Sequence, residues 1–170
     1  MSQAIADGTR VNKSVVKLIK DDITDLEVDA FVFYAQHDLA LGSGFGTSIA
    51  TRGGPSVQKE LDELGPLKTT EAVVTEAGKM KADFIVHAVG PRFHEDGTET
   101  KLRETMINAL RVAEEKGIEK IAFPAMGAGY YGIPANVSAS VMTEVLKDYL
   151  SGDTCMKEVV ICVLDSPQCN

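Results

Sequence analysis

The chain is short of cysteine, of basic residues and of long hydrophobic runs, and each shortage argues against a class of protein. Its three cysteines, Cys155, Cys162 and Cys169, are odd in number and include no close pair, which argues against a disulfide framework or a zinc site. They are expected to be ordinary thiols in a reducing cytoplasm, with Cys162 packed in a strand. No apolar run approaches the ~20 residues of a membrane span, and the polar segment 1–12 lacks the apolar core of a signal peptide.

Acidic residues outnumber basic ones, 25 against 17, which gives a net charge of -8. A general nucleic-acid binder or a membrane-surface protein needs a basic face, so we expect neither activity. The composition, 44% hydrophobic and 25% charged, is typical of a globular protein. The 170 residues predict a single domain, in which residues 1–13 form a polar extension or an edge strand.

Short apolar runs alternate with amphipathic segments along the chain. The runs predicted as strands are 14–19, 30–35, 72–75, 84–89, 121–124 and 159–164, and the segments predicted as helices are 47–52, 54–64, 99–116 and 136–150. This alternation predicts an α/β domain with a largely parallel sheet covered on both faces. Ligands of such domains bind at the carboxyl ends of the strands.

Two glycine-bearing loops each follow a predicted strand and lead into a helical pattern. The first is 41–46 (LGSGFG) and the second is 127–132 (GAGYYG). Such a loop can turn its backbone N–H groups toward an anion, while the next helix adds the positive end of its dipole. Two such loops suggest a ligand with a diphosphate held between them, bound by oriented amides rather than by clusters of lysine.

Four segments, in this order along the chain, resemble the macrodomain family, whose members bind ADP-ribose. Residues 20–24 (KDDIT) resemble the family's G-D-I-T, and 28–32 (VDAFV) with the first glycine loop resembles its first phosphate region. Residues 85–91 (IVHAVGP) are similar to I-H-x-V-G-P, and 122–134 resemble P-A-I-S-T-G-x-Y-G-x-P. The resemblance covers about residues 15–165. It implies a three-layer α/β/α sandwich with a central mixed, largely parallel sheet.

The resemblance also implies a set of ligand-binding residues. Asp22 would accept a hydrogen bond from the adenine amino group, with the Ile23 amide beside it, and Gln36 would reach the distal ribose. Tyr131 would lie against the diphosphate and the distal ribose. The diphosphate would be cradled by the amides of the two glycine loops: Gly42, Ser43, Gly44, Phe45, Gly127, Ala128, Gly129 and Tyr130. No metal ion and no cofactor is expected.

Each of these residues also has a purely structural interpretation. Without the resemblance, Asp22 would be interpreted as a turn or cap residue before Thr24, and glycines are common in loops that bind nothing. Tyr131 has the alternative of a core tyrosine with a satisfied hydroxyl. His87, in the middle of a predicted strand, is interpreted as structural because it has no visible catalytic partner.

The chain departs from the family at the side chains linked to chemistry. The family's N-A-A-N segment corresponds to 33–36 (FYAQ), so Phe33 replaces its first asparagine. The branch that hydrolyses ADP-ribosyl esters carries an aspartate soon after the first glycine run, and the chain has Gly46 in that region. The second loop has Gly127-Ala128 where the family has Ser-Thr. Recognition through amides survives such losses, whereas hydrolysis is harder to keep, because losing a catalytic base costs ~10²–10⁴ in rate.

A substitute for the missing base lies just after the central strand, in 36–38 (QHD). His37 has a side chain suited to a general base, and Asp38 could orient it, although adjacent residues do not readily bond in this way. The alternative is a solvated loop, because His and Asp are common turn residues.

The leading hypothesis is therefore a binder of ADP-ribose, a reader of its free or protein-linked form. Two alternatives stay open: hydrolysis of ADP-ribosyl esters or O-acetyl-ADP-ribose by a non-standard arrangement, and binding of another phosphorylated nucleotide. The expected partners are ADP-ribose or an ADP-ribosylated protein. A cytoplasmic monomer is expected on family grounds.

Overall fold

The computed structural model describes residues 3–41, 45–93, 95–127 and 131–163. The strands along these ranges are β1 Gln3–Val11, β2 Ser14–Lys20, β3 Ala30–Tyr34, β4 Ala72–Glu76, β5 Phe84–Ala88, β6 Lys120–Phe123 and β7 Glu158–Val163. The α-helices are α1 Phe45–Gly53, α2 Pro55–Leu64, α3 Thr98–Glu115 and α4 Ala135–Ser151. A short 3-10 helix, Ile23–Asp25, lies between β2 and β3.

The described strands form one sheet in the order β1-β2-β7-β6-β3-β5-β4. The five inner strands run parallel, while β1 pairs antiparallel with β2 and β4 pairs antiparallel with β5. Helices cover both faces, so the predicted three-layer α/β/α sandwich with a mixed, largely parallel sheet is confirmed. Because parallel strands end at the same edge of a sheet, the segments after β2, β3, β5 and β6 come together there.

Strand β3 belongs to the cores on both faces of the sheet. Ala30, Val32 and Tyr34 pack into the core that also contains the apolar faces of α3 and α4. Phe31 packs into the opposite core, with residues of α1 and α2. All four side chains are buried, as the uninterrupted apolar run of this strand predicts. Fully burying an aliphatic or aromatic side chain of this size contributes about 1.5–3 kcal/mol, so β3 is anchored from both sides.

The predicted helices and strands all have a counterpart within two residues of their expected bounds. Helix α2 begins at Pro55, where the missing N–H has no helical partner to lose, and it ends before Gly65. Gly54 precedes it with φ 89°, a left-handed backbone that glycine tolerates. The largest difference is at α1, which starts at Phe45 rather than 47, so that the last two residues of the first glycine loop form the beginning of this helix.

Cys162 lies buried in β7, as expected, and its thiol donates to the backbone oxygen of Asp21 at 3.1 Å. Burial raises the pKa of this thiol to about 12, so it stays protonated and unreactive. Within the described ranges, no helix combines the length and the apolar character that crossing a membrane requires.

His87 of β5 is fully buried beside the edge of the sheet. Its Nε2 lies 2.9 Å from the hydroxyl oxygen of Thr75 on the neighbouring strand, while its Nδ1 has no hydrogen-bond partner among the residues that the structure describes. The ring meets Phe33 edge-on, with the ring centroids 6.1 Å apart. Burial lowers the pKa of His87 to about 3, because the charged form is desolvated there. The imidazole is therefore a neutral part of the core.

This burial predicts a loss of stability in acid. An unfolded histidine takes up a proton below pH ~6.5, whereas folded His87 does so only near pH 3, so the free energy of unfolding should fall as the pH drops between these values. The contribution of this one group is at most about 1.4 kcal/mol per pH unit. Urea denaturation from pH 7 to pH 4 measures it.

The matched variants are His87→Gln and His37→Gln, since His37 is exposed. His87→Gln should flatten the pH dependence of the free energy of unfolding, and His37→Gln should leave it as in the wild type. The same slope in the wild type and in His87→Gln would show that other groups cause the acid sensitivity.

Candidate functional site

A cavity of about 260 Å³ opens where the chain leaves the carboxyl ends of β3 and β5. The segment after β3 and the segment after β5 form two of its walls, and Tyr131 from the second glycine loop forms another. Its polar and charged lining consists of Gln36, His37, Asp38, Arg92, Glu95 and Tyr131. Two predicted ligand-binding residues, Gln36 and Tyr131, thus meet in one cavity although they are far apart in sequence.

The first glycine loop is described only at its two ends. The predicted residues Gly42, Ser43 and Gly44 lie outside the described residues, and Phe45 begins α1. Leu41, the first residue of this loop, is fixed by Gln58 of α2, whose side-chain oxygen accepts from the Leu41 N–H at 2.9 Å.

Gly46, in the first turn of α1, lies close to the segment that enters this loop. A Cβ placed on Gly46 would lie 3.0 Å from the Leu41 Cα and 3.2 Å from its carbonyl carbon. A side chain at this position therefore requires the backbone of Leu41 to move. The structure gives a steric reason for glycine in the region where the ester-hydrolysing branch carries its aspartate.

The second glycine loop leaves β6 through Gly127, which has φ 75°. A Cβ on Gly127 would lie 2.3 Å from the Ile133 Cδ1 and 3.2 Å from the Tyr34 hydroxyl oxygen, so only glycine fits without adjustment. The Ile133 N–H donates to the Gly127 carbonyl at 3.0 Å, which closes the loop on itself. Ala128, Gly129 and Tyr130 lie outside the described residues.

Tyr131 is half-buried and contacted on several sides. Its ring meets the Tyr34 ring at 60°, with the centroids 4.5 Å apart. The Arg92 guanidinium lies over it, 5.8 Å from the ring centroid, which is within the range of a cation–π contact. The Phe93 N–H donates to the Tyr131 carbonyl at 3.1 Å. The ring is therefore held at the cavity wall, where it also packs against the core on the α3 and α4 side of the sheet.

Asp22 follows β2 and caps the short 3-10 helix. Its Oδ1 accepts from the Thr24 N–H at 2.9 Å and from the Thr24 hydroxyl at 2.6 Å, which is the capping role of the structural interpretation. These bonds occupy one carboxylate oxygen and set the plane of the group. The adenine contact predicted for Asp22 would therefore fall to Oδ2, with the buried Ile23 next in the chain.

Arg52 is a residue of this region that sequence reasoning missed. From the last turn of α1, its Nη2 lies 3.4 Å from the Asp22 Oδ2 and its Nη1 donates to the Asp25 Oδ1 at 2.7 Å. The three side chains are each about one-third to one-half exposed, so the pairing contributes little to stability. Its effect is to link the carboxylate after β2 with the helix after the first glycine loop.

His37 and Asp38 do not form the pair that the sequence suggested. The Asp38 Oδ1 accepts from the Ala40 N–H at 3.0 Å, so Asp38 stabilises its own turn. His37 is oriented instead by the Leu67 carbonyl, 2.9 Å from its Nδ1, while its Nε2 lies 3.4 Å from the Thr69 hydroxyl oxygen. A ring that donates from Nδ1 to a carbonyl keeps a lone pair on Nε2.

Phe33, in place of the family's first asparagine, is half-buried on the α1 and α2 side of the sheet. Its ring contacts His87 rather than the cavity lining. In the part of the chain that the structure describes, no group of three or more His, Cys, Asp or Glu side chains is arranged to hold a metal ion.

Comparison with known proteins agrees with this architecture. Residues 34–142 match the family model described as Macro domain. A macro domain-containing protein of Caldanaerobacter subterraneus is 38% identical over 153 residues, covering 86% of this chain and 87% of the relative. An uncharacterized protein of Saccharolobus solfataricus is 41% identical over 152 residues, covering 87% and 84%. The chain belongs to the macrodomain family.

Solved structures show the same fold. The macrodomain of Oceanobacillus iheyensis, in a structure with ADP, superposes with a TM-score of 0.90 at 22% identity. The match covers 99% of this chain and 92% of the Oceanobacillus chain. A Trypanosoma brucei macrodomain in complex with ADP-ribose has a TM-score of 0.83 at 22% identity, covering 90% of this chain and 65% of its own.

The conformation of Gly127 predicts a measurable loss of stability when it is replaced. Gly127 and Gly117 share φ 75°, but the space around a Cβ on Gly117 is open. Both alanine variants carry the cost of a left-handed backbone, about 1–2 kcal/mol, and Gly127→Ala adds overpacking of about 1–3 kcal/mol. Urea denaturation should show the larger loss for Gly127→Ala. Equal losses would mean that the close contacts of Gly127 relax freely.

Proposed function

We propose that this macrodomain binds ADP-ribose and acts as a reader of its free or protein-linked form. The observation that carries the proposal is the cavity after β3 and β5, where Gln36 and Tyr131 come together beside the entry to the second glycine loop. Structures of similar fold that hold ADP or ADP-ribose support the same assignment. We also propose that the domain recognises ADP-ribose when it is linked to a protein, and that the domain is a monomer.

The spacing of the site favours an extended ligand. Asp22 follows β2, and Gln36 follows β3, three strands farther along the sheet. Neighbouring strands lie about 4.8 Å apart, so these two positions are separated by about 14 Å across the sheet. A ligand that places its base at Asp22 and its second sugar at Gln36 must span this distance. The second glycine loop follows β6, which lies between β2 and β3 in the sheet, and the first follows β3 itself. This placement suits a diphosphate between the two ends of the ligand.

Calorimetry with ADP-ribose, AMP and ribose 5-phosphate tests the proposal. ADP-ribose should bind more tightly than either fragment, because only the complete ligand spans the site. A dissociation constant of about 1 mM corresponds to a binding free energy of about -4 kcal/mol. No heat with ADP-ribose at about 1 mM would therefore refute the proposal. A thermal-shift panel of other phosphorylated nucleotides tests the alternative ligand class, since a ligand that binds only the native state raises the melting temperature.

The role of Asp22 can be separated from its capping role by Asp22→Asn. The amide oxygen of asparagine can still accept from Thr24, whereas its NH2 group replaces the oxygen available to adenine. Binding of ADP should weaken by roughly 1–3 kcal/mol, because a hydrogen bond to a charged group is lost. Inosine diphosphate presents a carbonyl instead of the amino group. Its affinity should fall less than that of ADP in Asp22→Asn, or rise.

Asp25→Asn is the matched control for this variant. It removes the closer carboxylate partner of Arg52 but leaves the Asp22 carboxylate unchanged. Calorimetry with both diphosphates should show the preference for adenine weakened only in Asp22→Asn. An unchanged ratio of the two affinities in Asp22→Asn would remove the adenine assignment.

Hydrolysis of an ADP-ribosyl ester or of O-acetyl-ADP-ribose is the second candidate function. It is favoured by His37, whose ring the Leu67 carbonyl orients at the cavity with a lone pair on Nε2. A base of this kind would take a proton from a water molecule that attacks the ester. Because Gly46 carries no carboxylate, any such activity would use this different arrangement.

Release of ADP-ribose from a protein modified on carboxylates measures this activity. If His37 is the base, His37→Gln should lower turnover by ~10²–10⁴ while ADP-ribose affinity stays within a few-fold. Asp38→Asn is the control, because Asp38 bonds to Ala40 and not to His37. Turnover that persists in His37→Gln would clear His37 of the role, and no turnover in the wild type would leave binding alone.

A further inference from the structure

We infer that Tyr34 is a positioning residue for the diphosphate and distal-ribose end of the site, where it acts through its contacts with Tyr131 and with the segment that follows β5. The inference rests on the proposed function, because it concerns the same ligand. Tyr34 is the last residue of β3 and occupies an alanine position of the family's N-A-A-N segment.

The ring of Tyr34 fills the space that Gly90 leaves open. A Cβ on Gly90 would lie 2.3 Å from the hydroxyl oxygen and from the nearest ring carbon of Tyr34. Tyr34 is 7% exposed, so the ring lies almost entirely beneath the segment that leaves β5. The presence of a tyrosine at position 34 and of a glycine at position 90 are thus one packing arrangement.

The hydroxyl of Tyr34 joins three strands at their carboxyl ends. It donates to the Pro91 carbonyl after β5. It also lies next to Gly127 after β6, 3.2 Å from where a Cβ would stand. Burial raises the pKa of this hydroxyl above its usual value, and nearby Tyr131 and Glu95 add to the effect. The group therefore stays a hydrogen-bond donor throughout the physiological range.

The segment that Tyr34 anchors is the one that holds Tyr131. Arg92 and Phe93 follow Pro91 directly, and they contact the Tyr131 ring and carbonyl respectively. The Tyr34 ring itself makes the edge contact with Tyr131. Tyr131 is thus held by one direct contact from Tyr34 and by two more from residues whose path depends on the Tyr34 hydroxyl.

Removing this hydroxyl should loosen one end of the site and not the other. The adenine end lies at Asp22, three strands away from the carboxyl end of β3. In Tyr34→Phe, the Pro91 carbonyl loses its donor while the ring stays in place. Because the segment that holds Tyr131 is then less firmly fixed, ADP-ribose affinity should fall about 5–10-fold, and AMP affinity should stay within about 2-fold.

Calorimetry of wild type and Tyr34→Phe with ADP-ribose and AMP tests the inference. The quantity measured is the affinity for ADP-ribose divided by the affinity for AMP. A general loss of stability would not change this ratio. Tyr149→Phe is the matched control: its hydroxyl lies near Glu114 of α3, and Tyr149 does not line the cavity. The ratio should fall in Tyr34→Phe and stay at the wild-type value in Tyr149→Phe.

Gly90→Ala gives a second approach to the same contact, since the added methyl group must displace the Tyr34 ring. Its affinity ratio should change in the same direction as that of Tyr34→Phe. An unchanged ratio in both variants, with wild-type protein that binds ADP-ribose, overturns the inference and leaves the proposed function standing. Wild-type protein that fails to bind ADP-ribose overturns both.

Discussion

Strand β3 has no solvent-facing side, because alternate residues along it pack into two different cores. Its last residue, Tyr34, is therefore a rigid starting point for the chain that follows it. The segment 35–41, the cavity wall with Gln36 and the entry to the first glycine loop all extend from this point. The neighbouring strands β5 and β6 end beside it and add the segments with Pro91 and Gly127. The positions of the segments that line the cavity therefore depend on the burial of this one strand.

The acidic charge of the protein gives the cleft a particular character. With a net charge of -8, the protein as a whole repels an anionic ligand, so attraction must be local. Two arginines, Arg52 and Arg92, lie in the regions proposed for the two ends of the ligand, yet each is already paired, one with carboxylates and the other with an aromatic ring. The proposed contacts to phosphate are therefore left to backbone amides. Such contacts depend on loop conformation more than on ionic strength.

The sequence predicts local structure and fold class well, because these depend on patterns between near neighbours. Strand β3 and helix α2 show this: an uninterrupted apolar run predicts burial on both faces, and Pro55 predicts where the helix begins. Contacts between distant segments were not accessible in the same way. Nothing near Arg52 announces that it meets Asp22, and the pairing proposed for His37 and Asp38 was replaced by contacts with Leu67 and Ala40.

Tyr34 had a signal that could have been followed, since a large ring stands at an alanine position of the resembling segment. What the ring does there depends on Gly90 and Pro91, more than fifty positions later, and on Gly127 beyond them. Sequence spacing cannot show that a missing side chain at one position makes room for a large one at another. The site was therefore predictable as a region, while the contacts that hold it together were not.

The close approach of Gly46 to Leu41 also bears on how this chain could change over evolutionary time. If an ancestor carried a carboxylate in this region, a single codon change could restore the residue type, but its Cβ would lie only 3.0 Å from the Leu41 Cα, so the Leu41 backbone would have to shift by a few tenths of an ångström. A return would need the loop to move before the side chain could become useful.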